Sequence, residues 1–195
     1  HKNKIVSQLN NGISQLAKAR GVETLQGGAS FLSKNQILVE GEKNQTKITF
    51  EKCIIAAGSS SSLIPGLPKD HPSVLTSKTA LDLVDIPKNL LVIGGGVIGV
   101  ELGQVYASLG SKVSVVEFLP SLIPGADKDI VKPLHRKLKK QFSSIMLSSK
   151  VLSVKPHKSD TLIVEIESKS GVETKIYDKV LISVGRKPNT SFLNT

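Results

Sequence analysis

Hydrophobic residues recur with helical spacing at the start of the chain and with strand spacing after it. From Lys4 to Arg20, apolar side chains return every three or four residues until Gly21, which predicts an amphipathic helix. Short alternating stretches follow at 22–25, 36–40 and 47–50, separated by glycine and asparagine turns. These stretches predict the strands of a small antiparallel meander.

A wholly apolar stretch at Cys53–Ala57 predicts a buried strand that runs into Gly58 and a serine-rich loop. Because Cys53 lies within that stretch, we expect it to be a small core residue rather than a nucleophile. The proline-rich segment 63–87 predicts a connector that carries a short helix near 78–84.

A strand, a glycine loop and a helix open a second unit at Asn89. Strands at 90–93 and 112–117 flank a helix at 97–109, which is the order of a βαβ unit. The further predicted elements are an amphipathic helix at 127–142, strands at 151–154 and 162–167, a turn at Gly171 and an apolar strand at 180–184. The predicted class is α/β, a Rossmann-like parallel sheet with helices on both faces plus an antiparallel β-meander.

Two stretches of the chain match each other position for position. Phe50–Gly58 and Tyr177–Gly185 both run as an aromatic residue, an acid, a lysine, five small or apolar residues and a glycine. We expect the closing strand of one fold to occur twice, with the first copy's glycine loop before residue 1; a chance match is the alternative. The predicted domains are an incomplete first repeat at 1–70 and a complete dinucleotide-binding domain at 71–195.

Residues 94–99 form a G-x-G-x-x-G motif between a predicted strand and a predicted helix. Gly94 permits the tight turn, Gly96 lets the main chain approach a diphosphate, and Gly99 lets the helix pack closely on the strand. The unpaired N–H groups at the start of the helix then face the phosphates. In this context the motif predicts a dinucleotide site.

Glu117 ends the strand that follows the helix, where such sites place an acid that accepts hydrogen bonds from the adenosine ribose. Its neighbours Phe118 and Leu119 supply no cation for a 2′-phosphate. The sequence therefore favours NAD over NADP.

Two further candidates have ordinary alternatives. Glu101 lies in the first turn of the helix, where position alone favours an exposed acid that interacts with the helix dipole. Ser183, Gly185 and Arg186 follow a strand at the edge of the sheet where ligands bind in α/β folds, but a plain strand end explains them equally well.

Composition excludes several classes of function. The 195 residues carry a formal net charge of +10, densest at 135–140, but apolar residues at 130, 134, 138 and 142 predict that these cations line the solvated face of a helix. With five phenylalanines, two tyrosines and no tryptophan, nucleic-acid binding is not expected. The apolar runs are far shorter than the roughly 18–20 residues of a membrane span, and no secretory signal is expected.

The single cysteine excludes an internal disulfide and favours a reducing, cytoplasmic setting. The histidines at 71, 135 and 157 have no partner at ligand spacing, so no metal site and no catalytic triad are expected.

With these features in view, the sequence resembles the dihydrolipoamide dehydrogenases, which belong to the disulfide flavoprotein reductases. The resemblance rests on 54–59, 92–103, 115–117, 126–129 and 184–189. Glutathione reductase and mercuric reductase share parts of the pattern, whereas Glu117 and the stretch 126–129 favour the lipoamide enzyme.

The resemblance implies an FAD domain interrupted by an NAD domain, an interface domain and a homodimer. It implies an enzyme that oxidises dihydrolipoamide and passes hydride through FAD to NAD. Such an enzyme serves 2-oxo acid dehydrogenase complexes, with their lipoyl-bearing acyltransferase as a partner, and the glycine cleavage system.

The resemblance also assigns residues to the two cofactors. The implied NAD site consists of Gly94, Gly95, Gly96, Val97, Ile98, Gly99, Val100, Glu101, Glu117, Val151, Ser183, Val184, Gly185 and Arg186. The implied FAD contacts are Gly28, Ala57, Gly58 and Ser59, and residues 1–70 would be part of the FAD domain. Glu101 would lie beside the nicotinamide and the flavin, contrary to its position-based interpretation.

The sequence departs from the family pattern by omission. It has no N-terminal G-x-G-x-x-G for FAD, no C-x-x-x-x-C redox pair and no C-terminal His and Glu acid–base pair. One cysteine cannot carry out dithiol exchange, so the chain alone is expected to be inactive. The alternatives are another disulfide flavoprotein reductase and a non-catalytic NAD-binding module.

Overall fold

The computed structural model describes residues 1–191 and residue 193, and the chain divides into two compact units. The first unit consists of residues 1–58 together with the chain from residue 189 onward, and the second consists of residues 59–188. The assignment of 1–70 to an FAD domain and 71–195 to an NAD domain stays a prediction.

The first unit contains one helix and a three-stranded antiparallel sheet. The elements are α1 (Lys2–Ala19), β1 (Gly28–Ser33), β2 (Gln36–Glu40) and β3 (Gln45–Thr49), with strand order β1-β2-β3. The helix and the meander were both predicted, but the predicted strand at 22–25 is wrong. The register pairs Gly28 with Glu40, where β2 ends, so residues before Gly28 lie beyond the end of the partner strand.

The predicted strand at Cys53–Ala57 is also wrong. The segment forms no strand pairing among the described residues, its Ile54 side chain is 93% exposed, and Cys53 is exposed rather than a core residue. A strand requires a neighbour that accepts and donates its main-chain hydrogen bonds. Of the two matching stretches, only Tyr177–Gly185 therefore contains a paired strand.

The second unit is an α/β structure built on a parallel sheet. Its elements are β4 (Ser59–Ser61), β5 (Val74–Thr76), α2 (Ser77–Ala80), β6 (Asn89–Ile93), α3 (Val97–Ser108), β7 (Lys112–Val116), α4 (Lys128–Gln141), β8 (Ser144–Met146), β9 (Lys150–Pro156), β10 (Leu162–Ser168), β11 (Gly171–Tyr177), β12 (Lys179–Ile182) and β13 (Arg186–Pro188). Five strands form the parallel sheet in the order β5-β12-β6-β7-β8. β9, β10 and β11 form an antiparallel meander, and β4 pairs with β13.

The two faces of the parallel sheet pack against different elements. Leu90, Val92 and Val113 point towards a core shared with α3 and α4, whereas the alternate residues Leu91 and Ile93 pack with the meander. This division follows from the alternation of side chains along a strand. The predicted class of a Rossmann-like parallel sheet with an antiparallel meander is confirmed; the meander, rather than a further helix, covers the second face.

The buried face of helix α4 differs at one position from the apolar stripe predicted for it. Leu138 and Phe142 are buried as expected, but Ile130 is 66% exposed and Val131 is buried in its place. A strict four-residue spacing advances about 40° per step around a helix, so a stripe aligned on Leu138 no longer includes residue 130.

Several elements were not predicted. In the second unit, the strands absent from the prediction are β4, β5, β8, β11 and β13, and α2 ends at Ala80 rather than near residue 84. Over residues 1–191 and 193, none of the helices combines the length and apolarity that a bilayer crossing requires.

Candidate functional site

The carboxyl ends of β6, β7 and β12 meet at one edge of the parallel sheet. Because these strands are parallel and adjacent, the loops that follow them surround one cleft, of about 680 Å³, within the second unit. The cleft is lined by Ile64, Ile93, Gly94, Gly96, Val97, Ile98, Val116, Glu117, Phe118, Leu119, Pro124, Ser149, Lys150, Val151, Ser183, Val184 and Gly185. This volume lies within the range of about 300–1,000 Å³ common for ligand pockets.

The glycine loop between β6 and α3 is held by two glycines that have no room for a side chain. Gly94 has φ +105°, its N–H donates to the Val116 carbonyl at 2.8 Å, and a Cβ there would lie 2.5 Å from the Ser183 carbonyl oxygen. A Cβ at Gly99 would clash with the Gly94 carbonyl oxygen. Both predicted structural roles, the tight turn and the close helix packing, are observed.

Gly96 is different because a Cβ there would meet no heavy atom within 4 Å. Its backbone is extended, with φ −72° and ψ −177°, and it is the N-cap of α3. The prediction that Glu101 lies in the first turn of the helix is wrong, because α3 begins at Val97 and its first turn contains no acidic residue. The open space beside the unpaired amides of Gly96, Val97 and Ile98 fits a diphosphate group.

Glu117 lies at the other side of the glycine loop and is only 8% exposed. Its Oε2 accepts a hydrogen bond from the Gly95 N–H at 2.6 Å, and its Oε1 accepts one from the Leu119 N–H at 2.7 Å. An ionised carboxylate has about four acceptor positions, so these two bonds leave acceptors free for hydroxyl groups.

Ser183 connects the end of β12 to the end of β6. Its Oγ lies 3.0 Å from the carbonyl oxygens of both Ile93 and Gly94, where its single hydroxyl proton is donated. Val184 and Gly185 continue the wall of the cleft, and Gly185 has φ +126°. The wall opposite includes Val151 of β9.

Lys150 is a lining residue that sequence reasoning missed. It enters the site because the Ser149 N–H donates to the Glu117 carbonyl at 3.0 Å, which places the start of β9 beside the end of β7. Glu117 and Lys150 are the charged side chains of the lining. The sequence search had considered cations only beside Glu117 along the chain, and no local signal connects residues 117 and 150.

Five residues of the predicted NAD set lie outside the lining. Gly95 and Gly99 are buried behind it, Val100 belongs to the core shared with α4, and Glu101 is exposed on α3. Arg186 lies in β13, where its Nε donates to Ser59 Oγ at 2.7 Å and its Nη2 donates to the Ser59 carbonyl. Contacts of Glu101 and Arg186 with NAD stay predictions.

The four residues predicted to contact FAD occupy separate local settings. Gly28 begins β1, and Ser59 begins β4. Ala57 and Gly58 are held by Asn189, whose Nδ2 donates to the Ala57 carbonyl at 3.1 Å and whose N–H donates to the Gly58 carbonyl at 3.0 Å. Their contact with FAD stays a prediction.

Within the described part of the chain, no group of three or more His, Cys, Asp or Glu side chains is arranged to hold a metal ion.

Comparison with known proteins identifies the family. The sequence matches the profile of the pyridine nucleotide-disulphide oxidoreductases over residues 2–195. The chain belongs to this family. The predicted resemblance to the disulfide flavoprotein reductases is thereby confirmed.

Similar proteins include enzymes from bacteria and plants. The chain is 44% identical to a dihydrolipoyl dehydrogenase of Vibrio parahaemolyticus over 194 residues, which cover 99% of the chain and 40% of the relative. It is 39% identical to the mitochondrial dihydrolipoyl dehydrogenase 1 of Arabidopsis thaliana, with 99% of the chain and 38% of the relative covered. The chain thus spans about two fifths of the length of these relatives.

A solved structure has the same fold. The HOCl-induced flavoprotein disulfide reductase RclA from Escherichia coli, in its Cu(II) complex, matches with a TM-score of 0.84 and 29% identity. The match covers 98% of this chain and 43% of that protein.

Proposed function

We propose that this chain is the NAD(H)-binding part of a dihydrolipoyl dehydrogenase. The observation that carries the proposal is the cleft itself, where the open amides at the start of α3 and the carboxylate of Glu117 line one cavity. These are the two groups that recognise a diphosphate and a ribose in dinucleotide sites.

Different lining residues would contact different parts of the dinucleotide. The amides of Gly96, Val97 and Ile98 would bind the diphosphate, and the free acceptor positions of Glu117 would bind the adenosine ribose. The remaining walls would be formed by Val151, Ser183, Val184 and Gly185. In the whole enzyme, Glu101 and Arg186 would complete the site. These residues would hold and orient NAD, which would supply the hydride acceptor of the reaction.

The charges of the cleft favour NAD over NADP. Glu117 places a buried carboxylate where the extra phosphate of NADP would approach, and like charges at short distance repel. Lys150, the cation of the lining, is exposed, and therefore its attraction for a phosphate is weakened by solvent.

The activity of the whole enzyme is proposed from the relatives. Dihydrolipoyl dehydrogenases at 44% and 42% identity make oxidation of dihydrolipoamide the preferred reaction. We propose a cytoplasmic homodimer that holds FAD, with Gly28, Ala57, Gly58 and Ser59 among the FAD contacts. Its partner would be the lipoyl-bearing acyltransferase of 2-oxo acid dehydrogenase complexes.

A second candidate is another flavoprotein disulfide reductase of the same family. The likeness to RclA, at 29% identity over nearly the whole chain, favours it as the alternative. Both candidates predict a pyridine-nucleotide site in the same cleft, so they differ in the disulfide substrate of the whole enzyme.

Calorimetric titration of the chain with NAD⁺ and with NADP⁺ tests the proposal. We expect NAD⁺ to bind at least about tenfold more tightly than NADP⁺, a difference of ~1.4 kcal/mol. Glu117→Ala should weaken NAD⁺ binding by about 1–3 kcal/mol, the cost of losing hydrogen bonds to a charged acceptor.

The matched control is Glu42→Ala, which removes an exposed carboxylate from the turn between β2 and β3 that does not line the cleft. It should leave NAD⁺ affinity unchanged. A folded wild-type chain that binds no NAD⁺, or that binds NADP⁺ more tightly, would contradict the proposal.

A further inference from the structure

Both carboxylate oxygens of Glu117 accept hydrogen bonds from main-chain groups of the chain itself. Each carboxylate oxygen accepts a main-chain N–H, from Gly95 at 2.6 Å and from Leu119 at 2.7 Å. We call these two bonds the Glu117 clamp. A residue whose sole role was to bind a ribose would have no need of main-chain partners on both oxygens.

The clamp connects the glycine loop to the loop after β7. Gly95 is fixed at both of its main-chain polar groups, because its carbonyl accepts the Ile123 N–H at 2.9 Å while its N–H donates to Glu117. A Cβ at Gly95 would lie 2.5 Å from Leu122 Cδ2 and 3.1 Å from Glu117 Cβ. The absence of a side chain at Gly95 is thus what allows the stem of Glu117 to lie against the loop.

Burial makes the clamp energetically significant. Glu117 is 8% exposed, and a carboxylate removed from water must be compensated by hydrogen bonds. Bonds from N–H groups to an ionised acceptor are stronger than those between neutral groups. Loss of either partner would leave a poorly solvated charge beside the cleft.

The clamp also determines which amides remain for a ligand. The N–H of Gly95 is engaged by Glu117, and the N–H of Gly94 donates to Val116. The amides of Gly96, Val97 and Ile98, at the start of α3, have no partner within the helix. The phosphate donors are therefore the amides that follow Gly95, and Gly95 itself is not one of them.

We propose that Glu117 is a positioning residue for the glycine loop, in addition to any contact with the ribose. Its carboxylate fixes the loop before the dinucleotide arrives, with the open amides of α3 already directed into the cleft. This inference rests on the proposed function for the identity of the ligand, but the clamp itself is a property of the ligand-free chain.

Hydrogen exchange of individual amides, followed by NMR on the full chain, tests the clamp. In the absence of NAD⁺, we expect the Gly95 and Leu119 amides to exchange at least about tenfold more slowly than those of Gly96 and Val97. Equal exchange rates at all four amides would overturn the proposal.

The isosteric variant Glu117→Gln tests whether slow exchange at Gly95 and Leu119 is caused by the clamp or only by burial of these amides. Its amide group places an NH₂ donor against one of the two N–H groups, so exchange at Gly95 and Leu119 should accelerate by at least about tenfold relative to Val92 of β6. The control Glu42→Gln, in the turn between β2 and β3 of the first unit, should leave all of these rates unchanged. If the Gly95 and Leu119 exchange rates are unchanged in Glu117→Gln while NAD⁺ binding is lost, then Glu117 acts only as a ligand of the ribose. That result would overturn the positioning role.

A wild-type measurement covers the case in which Glu117→Gln fails to fold. The ligand-free exchange rates of the Gly95 and Leu119 amides in the wild-type chain decide the clamp without any substitution. Exchange at these two amides as fast as at Gly96 and Val97 would overturn the clamp.

Addition of NAD⁺ tests the proposed function separately. We expect new protection at Gly96, Val97 and Ile98, with Gly95 and Leu119 unchanged. A failure of NAD⁺ to protect those three amides would contradict the proposed function, whereas the ligand-free rates at Gly95 and Leu119 would still decide the clamp.

Discussion

The glycines of the loop at 94–99 are required for two different physical reasons. Gly94 and Gly99 are required by the fold, since a Cβ at either would collide with main-chain oxygen. Gly96 has open space and an extended backbone, so the folded chain alone imposes no such requirement. A glycine that the fold does not need, placed at the start of α3 beside a cleft, is explained by close approach of a ligand.

Substitutions at Gly96 and Gly99 should therefore separate binding from folding. Gly96→Val should keep the unfolding temperature within a few degrees of wild type and reduce NAD⁺ affinity by at least about tenfold, or ~1.4 kcal/mol. Gly99→Ala should destabilise the chain by about 3 kcal/mol, towards the upper end of the cost of overpacking. Thermal unfolding and calorimetric titration of both variants measure the two effects, and a Gly96→Val chain that unfolds early would contradict this division.

Sequence reasoning succeeded where the physical cause is local. Gly94, Gly96 and Glu117, which the glycine spacing and the strand end single out in the sequence, all line one cleft. Their contact with a dinucleotide stays a prediction. Lys150 escaped prediction because it reaches the cleft only through pairing of distant segments. The bond from the Gly95 N–H to Glu117 was missed for the same reason. The bond from the Leu119 N–H is local, but it depends on how the chain turns after β7, which the strand pattern does not specify.

At the scale of elements, a buried tyrosine joins the connector to the glycine-loop helix. Tyr106 of α3 is 2% exposed, and its hydroxyl donates to the carbonyl of Ala80, the last residue of α2, at 2.7 Å. Burial raises the pKa of Tyr106 above 10.0, and the nearby carboxylates of Asp85 and Asp82 raise it further.

Tyr106→Phe should destabilise the chain by about 1–3 kcal/mol, because it leaves the buried Ala80 carbonyl without that donor. The effect of pH follows from the raised pKa. Below 10.0 the hydroxyl is protonated in both the folded and the unfolded chain, whereas above 10.0 the unfolded chain loses the proton first, so wild-type stability falls as pH rises.

Urea unfolding of wild type and Tyr106→Phe from pH 7 to 11 measures both effects. The alkaline fall should be smaller in Tyr106→Phe but still present, because burial also raises the pKa of Tyr177. Equal stability at pH 7, or an equal fall at alkaline pH, would contradict the assigned role of Tyr106.

Prediction of elements succeeded for most long periodic segments and failed for the three-residue strands, and it also missed the seven-residue strand β11. The helices α1, α3 and α4 and the strands β6, β7 and β10 follow their sequence patterns closely. Strands of three residues, such as β5 and β8, are too short to show a period. The strand predicted at 22–25 failed because the register of β1 with β2, fixed by the turn between them, decides which residues pair.

At the scale of the whole molecule, the two units differ in how completely they bury their apolar residues. The second unit contains two buried clusters, one on each face of its parallel sheet. In the first unit α1 has no buried residue, and its apolar stripe, like Ile54, remains exposed. The burial predicted at Cys53–Ala57 is wrong, because burial of a strand needs partner strands that a local apolar pattern does not specify.

The most direct test of the central claim is a crystal structure of the chain with NAD⁺ bound. The account predicts the diphosphate within hydrogen-bond distance of the Gly96, Val97 and Ile98 amides, and a ribose hydroxyl bonded to the Glu117 carboxylate. A dinucleotide bound outside the cleft, or no dinucleotide in well-ordered crystals at saturating concentration, would contradict it.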